Sequence, residues 1–156
     1  MFGLGKIKFM PGTLGSLATT IILFYLFHKL NISSNIILIG WIIIFIYSFY
    51  AVSSHTKKSK NKDPGEIIID EFLGQSIPIY LYEISHGTTK ESNEAIVSYA
   101  VFFILFRYFD IMKPFPVNFF DKNFKNSFGV IMDDICAGFY VVLTLVCFMI
   151  IKSYIL

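Results

Sequence analysis

At 156 residues the chain has the length of one domain, and 55% of it is hydrophobic, with eighteen Phe, nine Tyr and a mean hydropathy of +0.65. Charged residues make up 15% against about 25% in ordinary soluble domains, so the expectation is a single integral-membrane domain covering 1–156. A formal charge of +2, with no basic cluster interleaved with aromatics, excludes a nucleic-acid binder.

Residues 1–16, MFGLGKIKFMPGTLGS, are rich in glycine and turn formers, and Thr13 or Ser16 is placed to cap the helix that follows. That helix is expected from Leu17 to about Leu30. Lys6 and Lys8 precede it as in a signal peptide, but no small-x-small cleavage site follows, so it reads as an uncleaved membrane helix. Asn31 to Asn35 form a polar turn. A second apolar helix covers Ile36 to Val52, close to the roughly 20 residues that span a bilayer. Residues 53–66 are a polar loop with four lysines and a Pro-Gly turn. A third helix, Ile67 to about Ile84, carries Asp70 and Glu71 near its start and Pro78 in its middle, which predicts a kink. Side chains three and four apart share a helix face, so Ile67, Asp70, Glu71 and Gly74 form one stripe, with Gly74 leaving space beside the acids. Ser85 to Asn93 is a second loop, and a fourth helix runs from Glu94 to about Met112, ended by Lys113-Pro114. Residues 117–132 read as a polar connection, and the last helix starts near Asp133. Cys136 and Cys147 lie on it about 16 Å apart, too far for a disulfide, so both are expected as free thiols.

Lysine and arginine orient these helices. With a cytoplasmic N-terminus, ten of the thirteen fall on the cytoplasmic side, and Lys29, Lys90 and Lys152 face away. The glycine-rich N-terminal segment, Asp63 to Glu71, Arg107 to Lys113 and Asp133-Asp134 then share that face. The predicted fold is all-α: a membrane bundle of about five main helices with its polar motifs gathered at the cytoplasmic end.

Chemistry follows from that gathering. Burying an ionised carboxylate costs several kcal/mol unless a cation or donors compensate it, and neighbouring carboxylates repel unless metal or protons neutralise them. Asp70, Glu71, Asp110, Asp133 and Asp134 outnumber the single arginine, Arg107, and charge within a membrane marks function. Oxygen ligands without paired His or Cys suit magnesium, calcium or manganese. Arg107, Lys113 and the amides near Gly12–Ser16 suit a phosphate. Cysteinyl-phosphate, haloacid-dehalogenase, histidine-phosphatase, Gly-x-Ser-x-Gly and P-loop motifs are all absent. His28, His55 and His86 are scattered and are not read as catalytic.

Four blocks resemble the motifs of bacterial phosphatidylglycerophosphatase A, in the family's order and over nearly the whole chain. They are Gly3-Leu4-Gly5 with Pro11-Gly12-Thr13-Leu14-Gly15-Ser16, Asp63-Pro64 with Asp70-Glu71-Phe72-Leu73-Gly74, the run Phe106 to Pro116, and the run Gly129 to Gly138. The glycine-rich stretch before the second acid pair is thinner than the family's, with Asn126-Ser127-Phe128-Gly129. The resemblance implies an all-helical, magnesium-dependent phosphatase of the bacterial inner membrane, converting phosphatidylglycerophosphate to phosphatidylglycerol with its active site facing the cytoplasm. On that reading Asp70, Glu71, Asp133 and Asp134 supply the magnesium ligands. Asp63 and Asp110 are their hydrogen-bonding partners, or one of them is the base that orients water. Arg107 and Lys113 stabilise the phosphoryl oxygens, and Gly12, Thr13 and Ser16 line the phosphate site. The partner is the lipid substrate, with no obligate protein partner. A small membrane protein that carries or senses a divalent cation through the same acids is the alternative, and a purely structural subunit is a third reading.

Overall fold

A computed structural model describes residues 10–58, 68–86, 92–124 and 126–155. Asp63, the first glycines and most of the lysine-rich loop lie outside them. Six helices make up the described chain: α1 (Pro11–Phe24), α2 (Ser34–Lys58), α3 (Ile69–His86), α4 (Ser92–Met112), α5 (Val117–Asn123) and α6 (Ser127–Ile155), with no strand among the described residues. This is the all-helical fold anticipated from composition, with one short helix more than the five expected.

The helix starts differ from the sequence reading in ways that matter for the site. α1 begins at Pro11, six residues before Leu17. Proline in the first turn gives up an N–H that has no helical partner there anyway, and Met10 precedes it in a left-handed conformation without a side-chain cap. Thr13 and Ser16 are therefore inside the helix and cap nothing. Ser16, Thr19 and Thr20 instead donate their hydroxyls to carbonyls four residues back, each at 2.9 Å, so these polar groups are buried already satisfied. α1 ends in a π-helical turn, Tyr25–Lys29.

α6 likewise begins at Ser127 rather than near Asp133, with the Asn126 carboxamide oxygen accepting the Gly129 N–H at 3.1 Å. The 117–132 stretch that read as a polar connection is largely helical. Its polar residues alternate with Phe119, Phe120, Phe124 and Phe128, whose rings pack on one another and give α5 an apolar face. Asp133 and Asp134 are consequently well inside α6 and do not cap it.

Four helical stretches are long and apolar enough to cross a membrane: Pro11–Lys29, Ser34–Ser54, Glu94–Met112 and Ser127–Ile155. On α2 the isoleucines 36, 39, 43 and 46 share one face and are 59–66% exposed, as a lipid-facing surface requires. α3 is the exception. It carries two acids in its first turn and Glu83 in its last, and it packs against α1, α2, α4 and α6 at the centre of the bundle. Two apolar clusters flank it. One joins Leu23, Phe27, Ile79, Tyr99, Phe102 and Phe106; the other joins Val52, Leu73, Ile131 and Ile135.

α3 and α6 meet backbone to backbone. A methyl group added at Gly138 would lie 2.3 Å from the Gly74 carbonyl oxygen, and one added at Gly74 would lie 2.4 Å from that of Asp134. The space expected beside Gly74 is filled by the main chain of α6. Pro78, four residues on, has no N–H to offer the Gly74 carbonyl, so the oxygen that faces Gly138 lacks its usual helical donor. α3 stays helical through Pro78 from Ile69 to His86. Far from the acid pair, Glu83 accepts the Tyr99 hydroxyl at 3.0 Å and lies 3.1 Å from His28 Nε2, tying α1, α3 and α4 at the other end.

Candidate active site

The Gly74–Gly138 crossing decides where the acids meet. Asp70 is one turn before Gly74 and Asp134 one turn before Gly138, so the close approach of the helices brings their carboxylates together. Carboxylate oxygens of Asp70, Glu71 and Asp134 all lie within 4.8 Å of one another. Asp70 and Asp134 are buried and Glu71 is half-buried. In each acid pair the first residue holds the second: Asp70 Oδ1 accepts the Glu71 backbone N–H at 3.1 Å, and Asp133 Oδ1 accepts that of Asp134 at 3.0 Å.

Each nearby cation has an acid partner outside the triad. Arg107 Nη1 is 2.6 Å from Asp110 Oδ2, one turn along α4. Lys113, beyond the end of α4, lies 2.6 Å from Asp121 of α5 and 3.1 Å from Asp133 of α6. Burial alone would lower the Lys113 pKa, but the hydrogen bond to Asp121 and the bond and charge of Asp133 outweigh it and hold the amine above the ordinary lysine range. Asp133 thus turns to Lys113, whereas Asp70, Glu71 and Asp134 form the triad. Three buried or half-buried carboxylates with no committed cation among the described residues are a strong like-charge cluster. The donor set is all oxygen, and Glu71 Oε2 is buried without a hydrogen-bond partner. Such a set fits a hard divalent cation such as magnesium.

A phosphate-sized group has its own partners beside the triad. The first turn of α1 reaches the acids at Gly12. An added methyl there would lie 2.6 Å from Glu71 Oε1 and 3.2 Å from Arg107 Nη1, so the absence of a side chain keeps the acid and the guanidinium together. Arg107 Nε is buried without a hydrogen-bond partner, and Nη1 and Nη2 lie beside Gly12, which leaves donor capacity at this corner. Thr13 is half-buried on the same turn, and Ser16 is fully buried with its hydroxyl spent on the Gly12 carbonyl. Of the residues singled out from sequence, Asp70, Glu71, Asp134, Gly12, Arg107 and Asp110 come together; Asp133 and Lys113 form an adjoining pair, and Asp63 lies outside the described residues.

Two further polar residues near the site do not stand out in the sequence. Asp121 holds Lys113 from α5, a helix the polar residues concealed. Gln75 is fully buried with neither end of its amide partnered, one turn beyond Glu71 on the same face of α3. An amide within the apolar run Ile67–Ile84 was the available signal, overlooked because it carries no charge.

Two acid pairs on crossing helices, an arginine at the end of a third and a glycine at the start of a fourth follow the order of the four sequence blocks. A family model described as phosphatidylglycerophosphatase A matches residues 1–149. The chain belongs to the phosphatidylglycerophosphatase A family. Phosphatidylglycerophosphatase A of Haemophilus influenzae is 36% identical over 142 residues, covering 91% of this chain and 80% of that protein. The Escherichia coli K12 protein of the same name is 32% identical over 139 residues, covering 88% and 73%. A Bacteroides thetaiotaomicron protein provisionally named phosphatidylinositol-3-phosphatase is 31% identical over 141 residues, covering 89% and 83%. No solved structure matches the chain. Family membership identifies the protein as a phosphatase of phosphate monoesters; four helical stretches are long and apolar enough to cross a membrane, and the acid cluster could hold a metal ion.

Proposed function

We propose that this protein is a magnesium-dependent phosphatase that hydrolyses phosphatidylglycerophosphate to phosphatidylglycerol and inorganic phosphate at the cytoplasmic face of a bacterial inner membrane. The observation that carries the reading is the juxtaposition of the Asp70–Glu71–Asp134 triad with Gly12 and the Arg107 guanidinium, whose Nε is buried without a partner. One part suits a divalent cation and the other a phosphoryl group. The names of the Haemophilus and Escherichia relatives support the lipid substrate, and the lysine and arginine distribution supports the orientation.

Asp70, Glu71 and Asp134 would hold the magnesium. When bound, it supplies positive charge that polarises the phosphoryl group and makes water a better nucleophile at neutral pH. Arg107 binds phosphoryl oxygens through its Nε and Nη2 edge, while Nη1, paired with Asp110 one turn away, keeps the guanidinium oriented. As the ester bond to the glycerol breaks, negative charge builds on the leaving oxygen, and a guanidinium fixed on the phosphoryl group holds it in line and offsets the site's negative charge. Lys113, held by Asp121 and Asp133, adds positive potential at the rim and fixes α5 and α6 relative to α4. Asp63 and Asp110 are the candidates for orienting the attacking water, and the amides around Gly12 and Thr13 complete the phosphate's surroundings.

The test is phosphate release from phosphatidylglycerophosphate by purified protein in mixed micelles, with magnesium and after its removal by chelation. Release that needs magnesium and returns on adding it back is expected. Undiminished release after chelation overturns the metal assignment, and absence of release under both conditions overturns the substrate.

A further inference from the structure

A groove with apolar walls runs down the outside of α3, away from the triad, between α1 and α2. Leu26 on α1, Ile36, Gly40 and Ile44 on α2, and Phe72 and Tyr80 on α3 line it around a cavity of about 190 Å³. The indole and the serine hydroxyl on its walls are already paired. Trp41 Nε1 donates to Ser76 Oγ at 2.7 Å, and Ser76 Oγ donates to the Leu73 carbonyl at 2.8 Å. Phe72, which follows Glu71 directly, marks one end. Eight residues separate Phe72 from Tyr80, about 12 Å of helix at 1.5 Å per residue, close to half of a roughly 30 Å hydrocarbon core. The groove therefore begins level with the acids and reaches about one leaflet deep.

Gly40 gives the groove its own signature. A glycine inside a helix costs roughly 0.5–1 kcal/mol relative to alanine, and at the other described glycines close contact explains the residue. At Gly40 an added methyl meets nothing within 4 Å. No tight packing requires glycine there, yet it stands in a run of isoleucines and borders open space. The groove is also continuous with the exposed isoleucine face of α2, the surface that meets lipid.

We propose that this groove binds an acyl chain of the phospholipid substrate, so that the enzyme grips its lipid by a tail as well as by the phosphate. The proposal rests on the phosphatase reading for the identity of the lipid; the groove's apolar walls, leaflet-deep length and start beside Glu71 carry the rest. Gly40→Leu fills the groove from a position where space is free.

Two readouts test it. In the first, long-chain and six-carbon-chain phosphatidylglycerophosphate are compared as substrates. Gly40→Leu is expected to reduce the preference for the long chain about tenfold, through KM rather than kcat, whereas Ile43→Phe on the outer face of α2 keeps the wild-type preference. An unaltered preference in Gly40→Leu overturns the proposal. The second readout does not need turnover: a phospholipid with a photoreactive group in its acyl chain is crosslinked to the protein in vesicles, and the labelled residues are mapped. Labelling concentrated on the groove residues, lost in Gly40→Leu, supports the proposal even if phosphatidylglycerophosphate proves not to be the substrate. Labelling spread evenly over the outer face of α2 overturns it. So does Gly40→Leu changing the oligomeric state without changing the labelling, which makes the groove a protein interface.

Discussion

At the residue scale, the triad is a balance of charges that a single atom can upset. Asp70→Asn keeps shape and removes one negative charge from three. Turnover is expected to fall by about 10² or more, with the protein still folded in the membrane, and magnesium titration of the residual activity is expected to shift to higher concentration. Near-normal kcat in that variant removes Asp70 from the site. Arg107→Lys keeps the charge but loses the planar fork; kcat is expected to drop about a hundredfold with a smaller change in KM, measured on micellar substrate. The carboxylates and Arg107 were legible in the sequence because charge is rare in an apolar chain. The partition among them was not: that Asp133 turns to Lys113 while Asp134 joins Asp70 and Glu71 depends on the rotation of α6, and adjacent aspartates look equivalent in one dimension. Gln75 escaped because an amide gives no charge signal, although its burial without a partner is as costly as many charged contacts.

At the element scale, α3 and α6 depend on the absence of side chains at their crossing. Gly138→Leu forces atoms into the Gly74 carbonyl, and overpacking of this kind typically costs about 1–3 kcal/mol. The expected outcome is a lower thermal unfolding midpoint in detergent together with loss of activity. Leu substituted at Gly40, by contrast, leaves the midpoint near wild type, because nothing stands within 4 Å of it. Helix existence was readable from the long apolar runs, but helix starts were not. Thr13 and Ser16 looked like caps because their chemistry favours that place, yet Pro11 opened the helix first and the hydroxyls bonded backward along it. α5 was hidden in the same way, since Asn118, Asp121, Lys122 and Asn123 drew attention from the phenylalanines among them.

At the scale of the whole molecule, Lys113 joins three helical regions through one amine. Its folded-state pKa is raised, so its contribution to stability is fully present below the unfolded lysine value of about 10.4 and is lost only as pH rises through the higher folded value. The Lys113 contribution to stability is therefore expected to be constant between neutral pH and about pH 9, and to give an alkaline loss that Lys113→Met lacks, followed by thermal melts across pH. The neutral-range pH dependence of activity must then come from other groups. The membrane-capable helices were the most legible property at this scale, because long apolar runs are visible without any tertiary contact. The groove beside α3 was invisible, since it is an emptiness between three helices that no residue type announces except, in hindsight, Gly40.

The contact of Gly74 with Gly138 also acts as a fulcrum. Asp70 and Asp134 each stand four residues, or about 6 Å, from that point. Bilayers of different thickness make helices tilt, and tilt about a distant pivot would pull the two acid-bearing helices apart. With so short a lever, a ten-degree change in crossing angle moves the carboxylates by only about 1 Å. The acid cluster is therefore expected to keep its geometry across bilayers of different thickness.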